Sequence, residues 1–97
     1  METEPRIIIA DDHPFLRRGL RLTIEAESNI KVVAEAENGE IALAKIYEHE
    51  PDVVILDVDM PVKDGFEVAR AIQERHLAVD VIFLTMHNSE SLFNAAL

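Results

Sequence analysis

The sequence predicts an α/β fold in which helices cover both faces of a parallel sheet. Short apolar runs alternate with helical patterns along the chain, an order typical of βαβ units with right-handed crossovers. Residues 53–56 are all apolar, as expected for a strand that is buried on both faces. Two of the apolar runs end in acidic residues. Because ligand sites of parallel sheets lie beyond the carboxyl ends of the strands, the pattern also predicts where a site should lie.

The first half of the chain contains two predicted strands and two predicted helices. We expect a strand at residues 6–10 and a helix from Pro14, because proline is favoured in the first helical turn. The apolar face of this helix recurs every fourth residue, at Leu16, Leu20 and Ile24. Residues 30–35 alternate more and predict a second strand near an edge of the sheet. After the turn signal Asn38-Gly39, the inner face of a second helix consists of Ala42, Leu43, Ile46 and Tyr47.

The second half repeats the alternation. We expect the third strand at residues 53–57 and a second turn at Asp64-Gly65. The inward residues of the helix that follows are Val68, Ala69 and Ile72. Residues 79–84 are apolar enough to form a central fourth strand, and Ser89 is a candidate cap for a fourth helix.

Several side chains are assigned by residue type. The aromatic residues predicted to lie in the core are Phe15, Phe66 and Phe83. The arginines predicted to form a solvated helix face are Arg17, Arg18 and Arg21. The histidines show no metal-ligand spacing and are predicted to be surface residues: His13, His49, His76 and His87.

Composition excludes several classes of function. The 97 residues suffice for one domain, and their net charge of -10 argues against binding of nucleic acids or anionic membranes by this chain. The absence of cysteine excludes disulfides, thiolate zinc sites and thiol nucleophiles. No apolar run reaches the length of a membrane span, so we expect a cytoplasmic location.

Three carboxylates are predicted to converge at one edge of the sheet. Asp11 and Asp12 follow the first strand, and Asp57 ends the third. Such a concentration of like charge is unfavourable unless a cation or shared protons offset it. The pair Asp11-Asp12 alone is more often a helix cap than a metal site. Asp57, at the end of a buried strand, is therefore the stronger indication of a site.

Several short motifs stand in order at the predicted strand ends: Asp11-Asp12, Asp57, Met60-Pro61, Asp64-Gly65 and Thr85. In this order they resemble the receiver domain of bacterial two-component response regulators. Residues 10–14, followed by Arg18-Gly19-Leu20, are most similar to the LuxR/NarL/FixJ-type subfamily, whose output is a helix-turn-helix. The resemblance implies a flavodoxin-like (CheY-like) doubly wound sheet with strand order 2-1-3-4. It also implies that residues 1–97 form a receiver domain that is incomplete at its C-terminus, because the fifth strand and fifth helix are missing.

The resemblance assigns a role to each site residue. Asp57 matches the phosphoacceptor, which takes a phosphoryl group from a sensor histidine kinase. Asp12 and Asp57 would bind Mg²⁺, or Mn²⁺, directly, and Asp11 would bind it through water. The backbone carbonyl of Asp59 would be a further metal ligand. Thr85 matches the switch hydroxyl that binds the phosphoryl group after transfer. DNA would be contacted, and transcription regulated, only through an output domain absent from this sequence.

Departures from the family pattern leave alternatives open. The family carries a lysine on the fifth strand, and its absence favours a degenerate receiver used only for protein contacts. Asp57-Val58-Asp59 also matches the nucleophile motif of haloacid-dehalogenase-like phosphohydrolases, but this match leaves Asp11-Asp12 unexplained. We predict no enzyme activity beyond self-phosphorylation and autodephosphorylation. We also predict self-association through strand four or helix four, because strand four would lack a neighbour on one side.

Overall fold

Strands and helices alternate in the part of the chain that the structure, a computed structural model, describes: residues 4–27 and 29–84. The elements are β1 (Arg6–Ala10), α1 (Pro14–Glu25), β2 (Lys31–Ala36), α2 (Gly39–His49), β3 (Val53–Asp57), α3 (Gly65–Glu74) and β4 (Asp80–Leu84). All strand pairs are parallel, and the sheet order is β2-β1-β3-β4. The predicted fold class and strand order are therefore confirmed, and each predicted strand lies within one residue of the observed one.

The helices divide between the two faces of the sheet. On one face, Ile8, Val54 and Leu56 are fully buried and belong to one cluster with α2 and α3 residues. The helical members of that cluster are Ala42, Leu43, Ile46, Val68 and Ile72. On the other face, Ile7 and Ile9 form a smaller cluster, against which Leu20 and Ile24 of α1 pack. The apolar periodicity of the sequence thus identified the buried faces of all three described helices.

Two sequences interpreted as turns instead begin helices. Asn38 is the N-cap of α2, and its side-chain oxygen accepts a hydrogen bond of 2.8 Å from the backbone N–H of Ile41. Asp64 is the N-cap of α3 and forms a capping box with Glu67. Asparagine and aspartate satisfy free N–H groups at helix starts as readily as they form turns, so the dipeptides alone did not distinguish the two.

Three predicted core residues lie largely at the surface. Phe15 is 92% exposed, Phe66 is 50% exposed and Tyr47 is 46% exposed. Phe15 lies one residue before the apolar, partly buried stripe of α1, and one residue turns a helix by about 100°. Phe66 lies against Phe83, with ring centroids 5.1 Å apart, and Phe83 is only partly buried. Aromatic residue type was therefore a poorer guide to burial than helical phase.

The C-terminal elements are only partly described. β4 pairs with β3, and within the described residues it has no second neighbour in the sheet. Thr85, Ser89 and the predicted fourth helix lie outside the described residues. None of the described helices combines the length and apolar character needed to cross a membrane.

Candidate functional site

The ends of β1 and β3 bring the predicted acidic residues together. Ala10 and Leu56 are partners in the parallel register, so Asp11 and Asp57 follow them side by side. Backbone hydrogen bonds extend the sheet by one step on either side. The N–H of Asp11 donates to the carbonyl of Ala36 (2.9 Å), and the N–H of Val58 donates to that of Leu84 (2.9 Å). The backbone at this edge is therefore fixed before any side chain is considered.

The carboxylates are buried, although they bear like charges. Asp11 is fully buried and Asp57 is 1% exposed, whereas a third of the Asp12 side chain is exposed. One ligand atom each from Asp11, Asp12, Asp57 and His13 lie within 4.8 Å of one another. Three buried oxygens accept no hydrogen bond from the described residues: Oδ2 of Asp11, Oδ1 of Asp12 and Oδ2 of Asp57. Buried polar atoms without hydrogen bonds are costly, and a divalent cation together with its bound waters would satisfy them.

The titration of Asp57 reflects the same surroundings. Burial raises the pKa of Asp57 to about 6, and the charges of Asp11 and Asp12 raise it as well. The backbone N–H of Asp59 opposes this shift through a hydrogen bond of 3.2 Å to Oδ1. A cation bound among the carboxylates would lower the pKa and hold Asp57 ionised, which is the form that can act as a nucleophile.

His13 is part of the cluster, which the sequence analysis missed. Its ring nitrogen Nδ1 lies 2.8 Å from Oδ1 of Asp11, 3.1 Å from Oδ1 of Asp12 and 3.6 Å from Oδ2 of Asp57. Oδ1 of Asp11 also accepts a hydrogen bond of 2.7 Å from the backbone N–H of His13. The hydrogen bond to Asp11 and the charge of Asp12 raise the pKa of His13. Its position directly after the acid pair was the only available signal in the sequence.

Two arginines of α1 support the loop that carries the acid pair. Arg17 donates one hydrogen bond to the backbone carbonyl of Asp11 (2.6 Å) and another to Oε1 of Glu35 (2.8 Å). Arg21 donates to Oε2 of the same glutamate at 2.6 Å. Burial alone would raise the pKa of Glu35, but the hydrogen bonds from Arg21 and Arg17 hold it below its usual value. The prediction of a solvated arginine face was therefore wrong for Arg17, whereas Arg21 is partly exposed and also pairs with Glu35.

The loop after β3 packs tightly against its neighbours. The N–H of Gly65 donates to the carbonyl of Val58 at 3.1 Å, and a Cβ on Gly65 would lie 2.5 Å from the carbonyl oxygen of Asp57. A Cβ on Gly39 would lie 2.0 Å from the carbonyl oxygen of Lys63. Both helix starts therefore require glycine, and together they fix the segment that contains Asp59. The metal-binding role of the Asp59 carbonyl stays a prediction.

Comparison with known proteins agrees with this geometry. Residues 7–97 match the family of response regulator receiver domains. The chain belongs to that family. The transcriptional regulatory protein YdfI of Bacillus subtilis is 38% identical over 90% of the chain, which covers 40% of that protein. A protein-glutamate methylesterase/protein-glutamine glutaminase of Oleidesulfovibrio alaskensis is 43% identical over 69% of the chain, which covers 18% of that protein.

A solved structure shows the same architecture. The signal receiver domain of the putative response regulator NarL from Mycobacterium tuberculosis superimposes with a TM-score of 0.88 at 34% identity. This alignment covers 98% of the present chain and 77% of that structure. The chain is thus similar to the receiver part of relatives that are more than twice as long. The family match also removes the reason to interpret Asp57-Val58-Asp59 as a phosphohydrolase motif.

Proposed function

We propose that Asp57 is the phosphoacceptor of this receiver domain and that the acidic cluster around it binds Mg²⁺. The observation that carries the proposal is the buried Oδ2 of Asp57, which accepts no hydrogen bond from the described residues. It lies at the end of β3 beside the carboxylates of Asp11 and Asp12. A carboxylate in this position can bind a cation through one oxygen and act as a nucleophile through the other.

The reaction is transfer of a phosphoryl group from a phosphohistidine of a sensor histidine kinase. An oxygen of the Asp57 carboxylate attacks phosphorus, the new O–P bond forms as the P–N bond breaks, and the released imidazole takes up a proton. The product is an acyl phosphate. A Mg²⁺ ion held by Asp12 and Asp57 would neutralise charge on the transferring phosphoryl group, and positioning of the reactants would supply most of the remaining rate enhancement. Autodephosphorylation by water would return the carboxylate.

The residues present fit a magnesium ion. Asp12 and Asp57 would bind it directly, Asp11 through water, and the backbone carbonyl of Asp59 would be another ligand. These are all oxygen donors, and Mg²⁺ usually keeps several waters beside one or two carboxylates. Mn²⁺ has similar ligand preferences and would bind in the same place.

Thr85 is proposed as the switch hydroxyl, although it lies outside the described residues. Its preceding residue supports the assignment, because Leu84 is the register partner of Asp57 and its carbonyl accepts a hydrogen bond from Val58. The chain therefore leaves β4 at the same edge of the sheet as the phosphoacceptor. A hydroxyl there would bind the phosphoryl oxygens after transfer.

The partners proposed for this chain follow from its family. A cytoplasmic histidine kinase would be the phosphodonor, and the output would be DNA binding by a separate domain, as favoured by the similarity to a transcriptional regulatory protein over most of the chain. Self-association through the fourth helix, or through the edge of β4 that has no neighbour among the described residues, also stays a proposal. Light scattering across a concentration series tests it, and a monomer at every concentration would contradict it.

Incubation with Mg²⁺ and the small phosphodonor phosphoramidate tests the central proposal. We expect one acid-labile phosphoryl group, located on Asp57 by mass spectrometry, and none in Asp57→Asn. Asp59→Asn is the matched control, since it removes the same charge two residues away and keeps the backbone carbonyl. Labelling of Asp57→Asn would exclude Asp57 as the acceptor. No labelling of the wild-type chain by this donor would favour the degenerate receiver.

A further inference from the structure

The imidazole of His13 gives the acidic cluster a nitrogen donor that an all-oxygen magnesium site lacks. Its Nδ1 lies 2.8, 3.1 and 3.6 Å from carboxylate oxygens of Asp11, Asp12 and Asp57. Ligands that share a metal at about 2.1 Å are separated by about 3 Å when they are adjacent in an octahedron. The separations from Asp11 and Asp12 are close to this value, although the contact with Asp11 is also a hydrogen bond, and all four residues offer ligand atoms within 4.8 Å of one another.

The backbone fixes this arrangement independently of any ion. His13 is the N-cap of α1, yet its side chain makes no capping hydrogen bond. Its own N–H donates instead to Oδ1 of Asp11, which places the ring beside the carboxylate. The side chain of His13 is 56% exposed, so the ring borders the site and solvent at once. The buried Oδ2 atoms of Asp11 and Asp57, which accept no hydrogen bond from the described residues, lie in the same cluster.

We propose that Nδ1 of His13 is a metal ligand and that it makes this site selective for first-row transition ions over Mg²⁺. This inference rests on the proposed cation site. Mg²⁺ prefers oxygen donors, whereas imidazole suits Zn²⁺ and Ni²⁺, which bind mixed nitrogen and oxygen sites more tightly than Mn²⁺ does. With the imidazole added to the proposed oxygen ligands, Ni²⁺ or Zn²⁺ is held through one more protein ligand than Mg²⁺.

Calorimetric titrations with Mg²⁺ and Ni²⁺ measure this selectivity. They use the 97-residue chain in mildly alkaline buffer, because metal binding needs the neutral imidazole. His13→Phe keeps a ring of similar shape and removes the donor. We expect it to weaken Ni²⁺ binding by at least about tenfold, the lower range seen when support for a metal ligand is lost. Mg²⁺ affinity should change by far less. His49→Ala is the control. His49 ends α2 and lies near the start of β1, whereas the acidic cluster lies at the end of β1, so the substitution should affect binding of neither ion.

Nitrogen-resolved NMR of the histidine rings gives a second measurement that does not depend on affinity. Zn²⁺ should shift Nδ1 of His13 and leave the ring nitrogens of His49 in place. Equal weakening of Ni²⁺ and Mg²⁺ by His13→Phe, or tighter binding of both, would overturn the proposal, as would Zn²⁺ binding without a shift at Nδ1. These results would leave the proposed function intact, since that function depends on Mg²⁺-dependent labelling of Asp57.

Discussion

Glu35 and the cluster of Asp11, Asp12 and Asp57 lie on either side of the loop after β1. They differ in how their negative charge is compensated. Both oxygens of Glu35 face a guanidinium, at 2.8 Å from Arg17 and 2.6 Å from Arg21. Asp11 and Asp57 are more deeply buried than Glu35, yet the only ion-pair contacts of Asp11, Asp12 and Asp57 among the described residues are with His13. Glu35 is thus better compensated than the two most deeply buried aspartates.

The difference separates a structural ion pair from a binding site. The pKa of Glu35 is held below its usual value by two arginines, whereas burial and like charge raise that of Asp57 to about 6. A lowered pKa means that folding favours the charged carboxylate, and a raised one means that folding opposes it. The Glu35 pair therefore stabilises the fold, while the aspartate cluster lowers stability until a ligand binds.

The largest change in stability is expected for Asp57→Asn in the metal-free protein. Removal of the buried charge should raise the free energy of unfolding at neutral pH by up to about 3 kcal/mol, as judged from the pKa shift. Denaturant unfolding in the presence of a chelator measures it. Asp59→Asn, at an exposed side chain, should change stability by about 0.5 kcal/mol or less. A destabilised Asp57→Asn would show that the ionised cluster is not costly.

The stability difference between Asp57→Asn and the wild-type chain should depend on pH. The pKa of Asp57 is about 6 in the folded chain and 3.8 ordinarily, so the folded state binds the proton more tightly. The contribution of this group to stability is therefore greatest at low pH and is lost as the pH rises from about 4 through 6. The stability gap between Asp57→Asn and wild type should be widest above pH 6 and should close towards about pH 4. A gap of constant size would contradict the raised pKa.

Arg17 links Glu35 to the aspartate cluster, because it donates hydrogen bonds both to Glu35 and to the backbone carbonyl of Asp11. Arg17→Met removes both contacts. Loss of this support should lower Mg²⁺ affinity by about tenfold, as for other groups that hold metal ligands in place. Arg21→Met is the control, since Arg21 contacts Glu35 and Glu25 and makes no hydrogen bond to the acid loop. Calorimetric titration with Mg²⁺ measures the affinity of both variants. Equal losses of affinity would mean that the hydrogen bond from Arg17 to the carbonyl of Asp11 does not affect Mg²⁺ binding.

Glu35→Gln should produce the smallest change. It leaves two partly buried guanidinium groups with a weaker acceptor, and we expect a loss of about 1 kcal/mol in unfolding free energy. Glu25→Gln breaks only the longer, more exposed contact with Arg21 and should cost less. Thermal unfolding of both variants provides the measurement. No loss in Glu35→Gln would remove the contrast between the two groups of carboxylates.

The sequence predicted the elements of this site better than its contacts. Uninterrupted apolar runs located the ends of β1 and β3, and hence the meeting of Asp11, Asp12 and Asp57. The ion pair of Arg17 with Glu35 joins residues 18 apart, and the ring of His13 turns onto the acids instead of capping α1. Such contacts depend on how neighbouring elements pack, which periodicity and residue type do not encode.

Thermal unfolding with and without Mg²⁺ tests most directly whether the buried carboxylates form a cation site whose cost is offset by its ligand. At neutral pH, excess Mg²⁺ should raise the midpoint of the wild-type chain, because a ligand that binds only the folded state stabilises it. Asp57→Asn should start from a higher midpoint and respond much less. Equal responses of the two proteins, or no response of the wild type, would contradict the account.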